Sequence, residues 1–341
     1  MIRQITFKNF KALRDTKLPL GQLTLMVGPN GSGKSTVFQA LLAMQQPDFF
    51  TDLSEILAAG ARKNARVEVK AEWSGEATGA FVAHWDERDW KLCREREFVN
   101  LETGSPLPHD SPARRNMWGE LAWLRVFSLD AEAILRTVEL KPAMELQPDG
   151  SGLAGVLERL RDEHPERFEA LNVQLKRWLP EFDRILIETP LTGLRAVLLR
   201  ITETQHHIRA KEISQGTLLA LALLTLAYLS DPPPILCLEE PDRGIHPRLL
   251  RDVRDAMYRL AYPEHFGEDR KPVQVIATTH SPYMLDLFRD HPEEIVIAHK
   301  EEGNVIFERL SDRPDLDEIL QDTHLGDAWY SGILGGVPTD K

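Results

Sequence analysis

Gly28-Pro29-Asn30-Gly31-Ser32-Gly33-Lys34-Ser35 sets glycines, a lysine and a hydroxyl between a strand-like run, Gln22 to Val27, and a helix-like one. Every fixed position of G-x-x-x-x-G-K-[ST] is filled. Glycines let successive backbone N–H groups turn toward one point, and the helix start adds partial positive charge there. Such a loop holds phosphate. Asn30, Gly31, Ser32, Gly33 and Thr36 are its binding residues, Lys34 reaches the β- and γ-phosphates, and the Ser35 hydroxyl ligates Mg²⁺. The competing reading is an ordinary strand-to-helix turn that happens to contain glycine, and motif and context together weigh against it.

A phosphate loop needs an acidic residue at a neighbouring strand end to hold Mg²⁺ and position water. Ile235-Leu236-Cys237-Leu238-Glu239-Glu240 is an apolar strand ending in two carboxylates. Strand alternation sends the two side chains in different directions, so Glu239 is assigned to the Mg²⁺ shell and Glu240 to the attacking water as general base. Aspartate is usual at the first of these positions, so Glu239 reaches the metal through water or its longer stem. Val275-Ile276-Ala277-Thr278-Thr279-His280 is a further strand whose terminal imidazole can donate to a γ-phosphate and sense it. Ile213-Ser214-Gln215-Gly216-Thr217 opens an apolar helix, where Ser214 is an N-cap and the free N–H groups form a second phosphate site. His206, His207 and His246 lack such context, and with no HExxH no zinc site is read.

These residues need elements to hold them. Ile2 to Phe10 alternates as a strand, and a helix runs from about Lys34 to Met44. Residues 66–99 read as antiparallel strands turning at Gly75 and Asp86-Glu87, and residues 100–116, with three prolines, read as a loop. Helices follow at 152–163 and 166–178, strands at 182–188 and 193–201, and a helix at 214–229. A parallel-core alternation closes the chain: strand 235–238, helix 246–259, strand 273–278, helix 282–288, strand 294–298. The fold class is therefore α/β. One domain spans 1–341, and 45–210 is an inserted β-rich and helical lobe, since no heptad run marks a coiled-coil arm. The tail HLGDAWYSGILGGVP carries Gly335-Gly336 but follows no strand and opens no helix, so it is read as packed.

Composition sets outer limits. The 341 residues are 42% apolar and 28% charged, an ordinary globular balance without low-complexity tracts. The longest apolar run, Leu218 to Leu229, is interrupted by Thr225 and falls short of a membrane span. Cys93 and Cys237 form neither a metal pair nor a disulfide framework, so a cytoplasmic, reducing home and no membrane partner are expected. A net charge of -12 argues against a surface that coats DNA, without excluding a local basic groove. Arg62, Lys63, Arg66, Arg114 and Arg115 are candidates for such a groove, against the commoner reading of solvated loop charges. Trp73, Trp85, Trp90, Trp118 and Trp123 serve either core packing, the favoured reading, or a partner surface.

GPNGSGKS, ISQGTLLALALL, LCLEEPDRGIHP and ATTHSP, in this order, resemble the Walker A, signature, Walker B and switch motifs of ABC-type ATPases. ITFKNFKAL, GIHPRLL and THSPYML are similar to the SMC/RecF/OLD-like branch, whose small stand-alone members are AAA-type ATPases, and not to transporter subunits. The opening and the last half of the chain carry the likeness; residues 45–150 match in outline. The resemblance implies a mixed central sheet with an antiparallel β subdomain and a helical lobe. It also implies ATP and Mg²⁺ as cofactors and a head-to-tail homodimer enclosing two ATP molecules. In that dimer Ser214 and Gly216 act in trans on the γ-phosphate held by the other copy. Gln215 stands where Gly or Asp is commoner, and Gln39, Gln45 and Gln46 lie too early to be the family's Mg²⁺-sensing glutamine.

The leading functional expectation is an ATPase switch in which Glu240, His280 and Lys34 carry the chemistry. In OLD-like relatives a Toprim nuclease domain follows the ATPase. The residues after Pro282 leave no room for one and show no acidic set suited to two metals. A separately encoded effector, such as a Toprim-type nuclease in DNA repair or phage defence, is thus expected, with DNA a further candidate partner. The alternative is an SMC-like DNA clamp without an effector, with a transporter ATPase subunit behind it. A P-loop kinase or GTPase explains neither ISQG nor THS.

Overall fold

The structure is a computed structural model and describes residues 1–46, 48–62, 65–75, 78–88, 91–141, 144–301 and 303–335. Its first elements are β1 (Ile2–Phe10), β2 (Leu13–Pro19), β3 (Leu23–Val27), α1 (Lys34–Gln45), β4 (Val67–Trp73), β5 (Gly79–Arg88), β6 (Lys91–Val99), α2 (Pro112–Ala122) and β7 (Arg125–Phe127). Then come α3 (Ala131–Ile134), β8 (Val138–Glu139), α4 (Leu153–Glu163), α5 (Pro165–Trp178), β9 (Phe182–Glu188), β10 (Leu194–Ile201), β11 (His207–Arg209) and α6 (Gln215–Tyr228). The last are β12 (Ile235–Leu238), α7 (Leu250–Ala261), β13 (Gln274–Thr279), α8 (Pro282–Asp286), β14 (Ile295–Glu301), β15 (Asn304–Arg309), α9 (Leu316–Asp322) and α10 (Leu325–Tyr330). Two compact units result: Met1–Val126 with Pro233–Cys237 and Pro272–Lys341, and Phe127–Pro232 with Leu238–Lys271.

In the first unit, β3 and β13 are buried at every residue, as strands covered on both faces must be. They run parallel in register from Val275 opposite Leu23 to Thr279 opposite Val27. Strand β14 lies parallel on the other side of β3, and β15 turns back antiparallel to close the edge. The sheet order is β15-β14-β3-β13-β12-β7, a mixed sheet as expected. A second sheet, β2-β1-β4-β5-β6, is antiparallel throughout its registered pairs. Trp73 and Trp85 are fully buried with Phe7, Phe10 and Phe81 in this unit's core, which makes them packing residues. Trp118 and Trp123 are exposed, and Trp90, like Lys63 and Gly336, lies outside the described residues.

The buried Gln274 side chain joins β13 to the chain's beginning. Its Oε1 accepts from Ile2 N–H at 2.9 Å, while its Nε2 donates to the carbonyls of Ile2 and Gly21 at 2.6 and 2.9 Å. A buried amide earns its place only when all its groups are paired, and this one is paired three ways.

Several expectations need correction. Strands β2 and β15 were not anticipated, because exposed charged residues occupy most outward positions of β2 and mask its alternation. Residues Asp86 and Glu87 do not turn: β5 continues through them, pairing Asp86 with Cys93 and Glu87 with Leu92. The stretch 100–116 is a loop only in its first part, since Pro112 opens α2, where a missing N–H costs nothing. The tail opens a helix after all, α10, which buries Leu325, Ala328 and Trp329. Of segment 45–210, β4 to β6 continue the sheet begun by β1 and β2, while α4, α5 and β8 to β11 belong to the second unit.

The second unit is built on helices with apolar faces of helical spacing. Leu153, Val156, Leu157 and Leu160 of α4, and Phe168, Leu171 and Leu175 of α5, are buried as their pattern requires. Strands β8 to β11 form an antiparallel ribbon, tied to α5 by the buried Asn172, whose Oδ1 accepts from Ile185 N–H at 2.8 Å. Helix α6 is apolar nearly all round and is buried accordingly. Among the described residues no helix is long and apolar enough to cross a membrane.

Replacing Gln274 by Leu removes the amide from the buried Ile2 N–H and carbonyl and from the half-buried Gly21 carbonyl. The expected loss is about 2–6 kcal/mol of stability, at about 1–3 kcal/mol for each of the two buried Ile2 groups left unpaired. Chemical denaturation of Gln274→Leu checks it.

Candidate nucleotide site

Where β3 ends, the chain turns through the phosphate loop under tight steric control. A Cβ on Gly28 would lie 2.5 Å from the Ala298 carbonyl oxygen and 2.5 Å from Ser32 Oγ, so no other residue fits without displacement. Gly31 and Gly33 adopt φ of 73° and 88°, left-handed backbone that glycine enters at least cost. Gly33 then caps α1, whose first residue is Lys34. The lysine is buried, and its ammonium donates to the Gly28 and Pro29 carbonyls at 2.7 and 3.1 Å and to Ser32 Oγ at 3.2 Å. A desolvated cation inside a glycine loop at a helix start is a site for an anion. Asn30, Gly31 and Ser35 are exposed around it, Thr36 is half-buried and Ser32 is buried.

The register of β3 and β13 brings His280 to the same sheet edge. Thr279 is level with Val27, so His280 follows β13 as Gly28 follows β3. The turn at His280 is fixed by Ser281 N–H donating to Thr279 Oγ1 at 2.9 Å and by Ser281 Oγ capping α8 at Met284 N–H. The loop and His280 are thus brought together within the first unit.

Glu239, Glu240, Ser214 and Gly216 are gathered in the second unit. Glu239 N–H donates to the Phe127 carbonyl at 2.8 Å, the last backbone bond before the chain turns. Glu240 has φ of 46°, and its carbonyl accepts from Arg243 N–H at 2.9 Å in the turn that follows. β12 ends at Leu238 and the backbone reverses at Glu240, so no pleated strand continues through the two carboxylates. An Arg243 guanidinium nitrogen lies 3.9 Å from the Glu240 carboxylate, and another donates to the Leu129 carbonyl at 3.3 Å. Leu219 and Leu223 of α6 line a small crevice together with Phe127, Leu129, Glu239 and Glu240. Helix α6 itself starts at an exposed cap: Ser214 Oγ accepts from Thr217 N–H at 3.2 Å and meets Thr217 Oγ1 at 2.8 Å.

Gly216 has a packing reason of its own. A Cβ there would sit 2.7 Å from the Gly244 carbonyl oxygen, so the helix start approaches the turn after the carboxylates as closely as glycine allows. Sequence reasoning also missed Lys300, at the end of β14, whose Nζ lies 3.8 Å from where a Gly31 side chain would begin. The signal was present as a cation closing an apolar strand, but only the sheet order places that strand beside β3. Of the candidate basic groove, Arg66 pairs with Glu95 at 2.7 Å and Arg114 stacks 5.0 Å from the Phe98 ring.

Two substitutions separate strain from chemistry. Glu240→Gly is expected to gain about 0.5–1 kcal/mol of stability, the left-handed cost less the entropy glycine adds to the unfolded chain. Gly216→Ala is expected to lose about 1–3 kcal/mol through overpacking against Gly244. Denaturant midpoints of both proteins test this.

The chain is similar to the crystal structure of "SmcHead bound to the C-winged helix domain of ScpA", with a TM-score of 0.62 and 15% identity over 93% of this chain and 99% of that one. It is 21% identical over 385 aligned positions to the "OLD nuclease" of Thermus scotoductus (strain ATCC 700910 / SA-01), covering 96% of this chain and 68% of that protein. Residues 4–45 match a family described as "AAA domain". Residues 48–286 match the family described as "AAA domain, putative AbiEii toxin, Type IV TA system". That match spans most of the chain, which therefore belongs to this family of AAA-type P-loop ATPase domains and has the SMC-head fold.

Proposed function

We propose that the protein binds and hydrolyses ATP as a molecular switch, two copies closing head to tail around two ATP molecules. The observation that supports this most strongly is the buried Lys34 ammonium inside a glycine loop whose backbone tolerates no side chain at Gly28. In this reading the N–H groups of residues 30–36 and Lys34 hold the triphosphate. His280, level with the loop on the adjacent strand, donates to the γ-phosphate. Glu240 takes a proton from the water that attacks phosphorus, and ADP leaves.

Magnesium suits oxygen donors of the kind that Ser35 and Glu239 offer. Ser35 offers an exposed hydroxyl directly after the buried lysine, and Glu239 is a half-buried carboxylate. Oxygen donors few in number suit a metal that keeps most of its waters and phosphate ligands. Ser35 would hold it directly and Glu239 through water, and the ion would neutralise charge on the outer phosphates. Ser214, at the exposed start of α6, is proposed to meet the γ-phosphate of the partner copy, its helix N–H groups adding partial positive charge. The likeness to a protein named OLD nuclease supports an effector of nuclease class, in DNA repair or phage defence, as what the switch controls.

Substitutions assign the roles. Lys34→Ala is expected to lose ATP binding. Glu240→Gln is expected to bind ATP and hydrolyse it about 10²–10⁴ times more slowly. Ser214→Arg is expected to bind ATP as one copy and fail to turn over. Full turnover by Glu240→Gln would remove it as the base, and normal turnover by Ser214→Arg would exclude the contribution in trans. Because Gly216 is needed for packing, Ser214 is the cleaner probe of that contribution.

A further inference from the structure

The β14–β15 hairpin follows the phosphate loop glycine by glycine. The Ala298 carbonyl crowds Gly28, Lys300 Nζ approaches Gly31, and Val305 lies 3.4 Å from where a Gly33 side chain would begin. Lys300 and Val305 are themselves opposite one another in the hairpin register, so one rung of the hairpin spans the loop. The rung is anchored, because Thr16 Oγ1 donates to the Val305 carbonyl at 2.8 Å. Val305 is buried and Lys300 is exposed, which leaves the ammonium on the solvent side of Gly31. Its neighbour Glu301 meets His299 at 3.2 Å, and among the described residues the Lys300 side chain makes no hydrogen bond or ion pair. An exposed lysine usually explores solvent. This one ends beside a loop that already carries a buried cation.

We propose that Lys300 is a second phosphate-binding cation, closing on the outer phosphates of ATP from the open side of the loop while Lys34 holds them from within. The inference rests on the nucleotide reading of the loop and deepens it. Two cations on opposite sides of one anion raise affinity for the more highly charged nucleotide, so Lys300 adds preference for ATP over ADP. Arginine preserves the charge and the reach, and alanine removes both.

Direct binding of ATP and of ADP to the full chain, by calorimetry at two salt concentrations, tests this. Lys300→Ala is expected to weaken ATP binding about 5–20-fold, as for loss of one charge-assisted contact, with a smaller effect on ADP and a shallower salt dependence. Lys300→Arg is expected to bind within about 2-fold of the parent. An unchanged melting temperature of the nucleotide-free variants confirms that the hairpin is intact. ATP binding by Lys300→Ala equal to the parent, with Lys34→Ala defective, overturns the role of Lys300 and leaves the nucleotide reading standing. Undiminished binding by Lys34→Ala overturns that reading itself. Equal losses for ATP and ADP overturn the discrimination assigned to Lys300.

Discussion

Backbone crowding at the phosphate loop is the constraint on which the first unit depends. Gly28 is pressed between the Ala298 carbonyl and Ser32 Oγ, and Gly33 between Leu13 and Val305. The loop can keep that conformation only if β14 lies beside β3, β15 folds back on β14, and β2 brings Leu13 over the helix start. The parallel register of β3 with β13 then sets His280 level with the loop. Burying Lys34 is tolerable because the same loop supplies oxygens to its ammonium, since a desolvated cation without partners is costly. A site for a highly charged anion thus comes from chain geometry first and from charge second.

The second unit meets a similar demand with different means. Here a non-glycine residue, Glu240, occupies left-handed backbone, and the α6 start comes within reach of the Gly244 carbonyl because Gly216 has no side chain. Strain of this kind persists where the surroundings over-determine the backbone. Around Glu240 those surroundings are the Glu239–Phe127 bond, the Glu240–Arg243 turn and the Arg243 bond to Leu129. Helix α6 also meets the carboxylate turn at Leu219 and Leu223, which line one crevice with Glu239 and Glu240.

The chemistry-bearing elements were the most legible in sequence. β3, β12 and β13 are apolar-rich runs, buried at every position, that lead into Gly28, Glu239 and His280, so their burial and their polar ends announce themselves together. Helix α6 is apolar nearly all round and is equally plain. What escaped notice depends on contacts distant in the chain. β2 presents Arg14, Asp15 and Lys17 outward, and only its pairing with β1 makes it a strand. α2 hides behind Pro112, which a helix accepts at its first position alone. Lys300 looked like one of many surface lysines until the sheet order set β14 beside β3. The reversal at Glu240 has no local signature, because its residue type does not favour left-handed backbone.

Membership of an AAA-type ATPase family and an SMC-head fold make nucleotide-driven pairing the central claim. Its most direct test is the mass in solution of Glu240→Gln with and without ATP and Mg²⁺, since a slowed general base traps whatever ATP assembles. An ATP-dependent doubling of mass is the predicted result. A mass that stays the same while ATP is demonstrably bound would contradict the sandwich and leave a nucleotide-binding protein that switches by some other means.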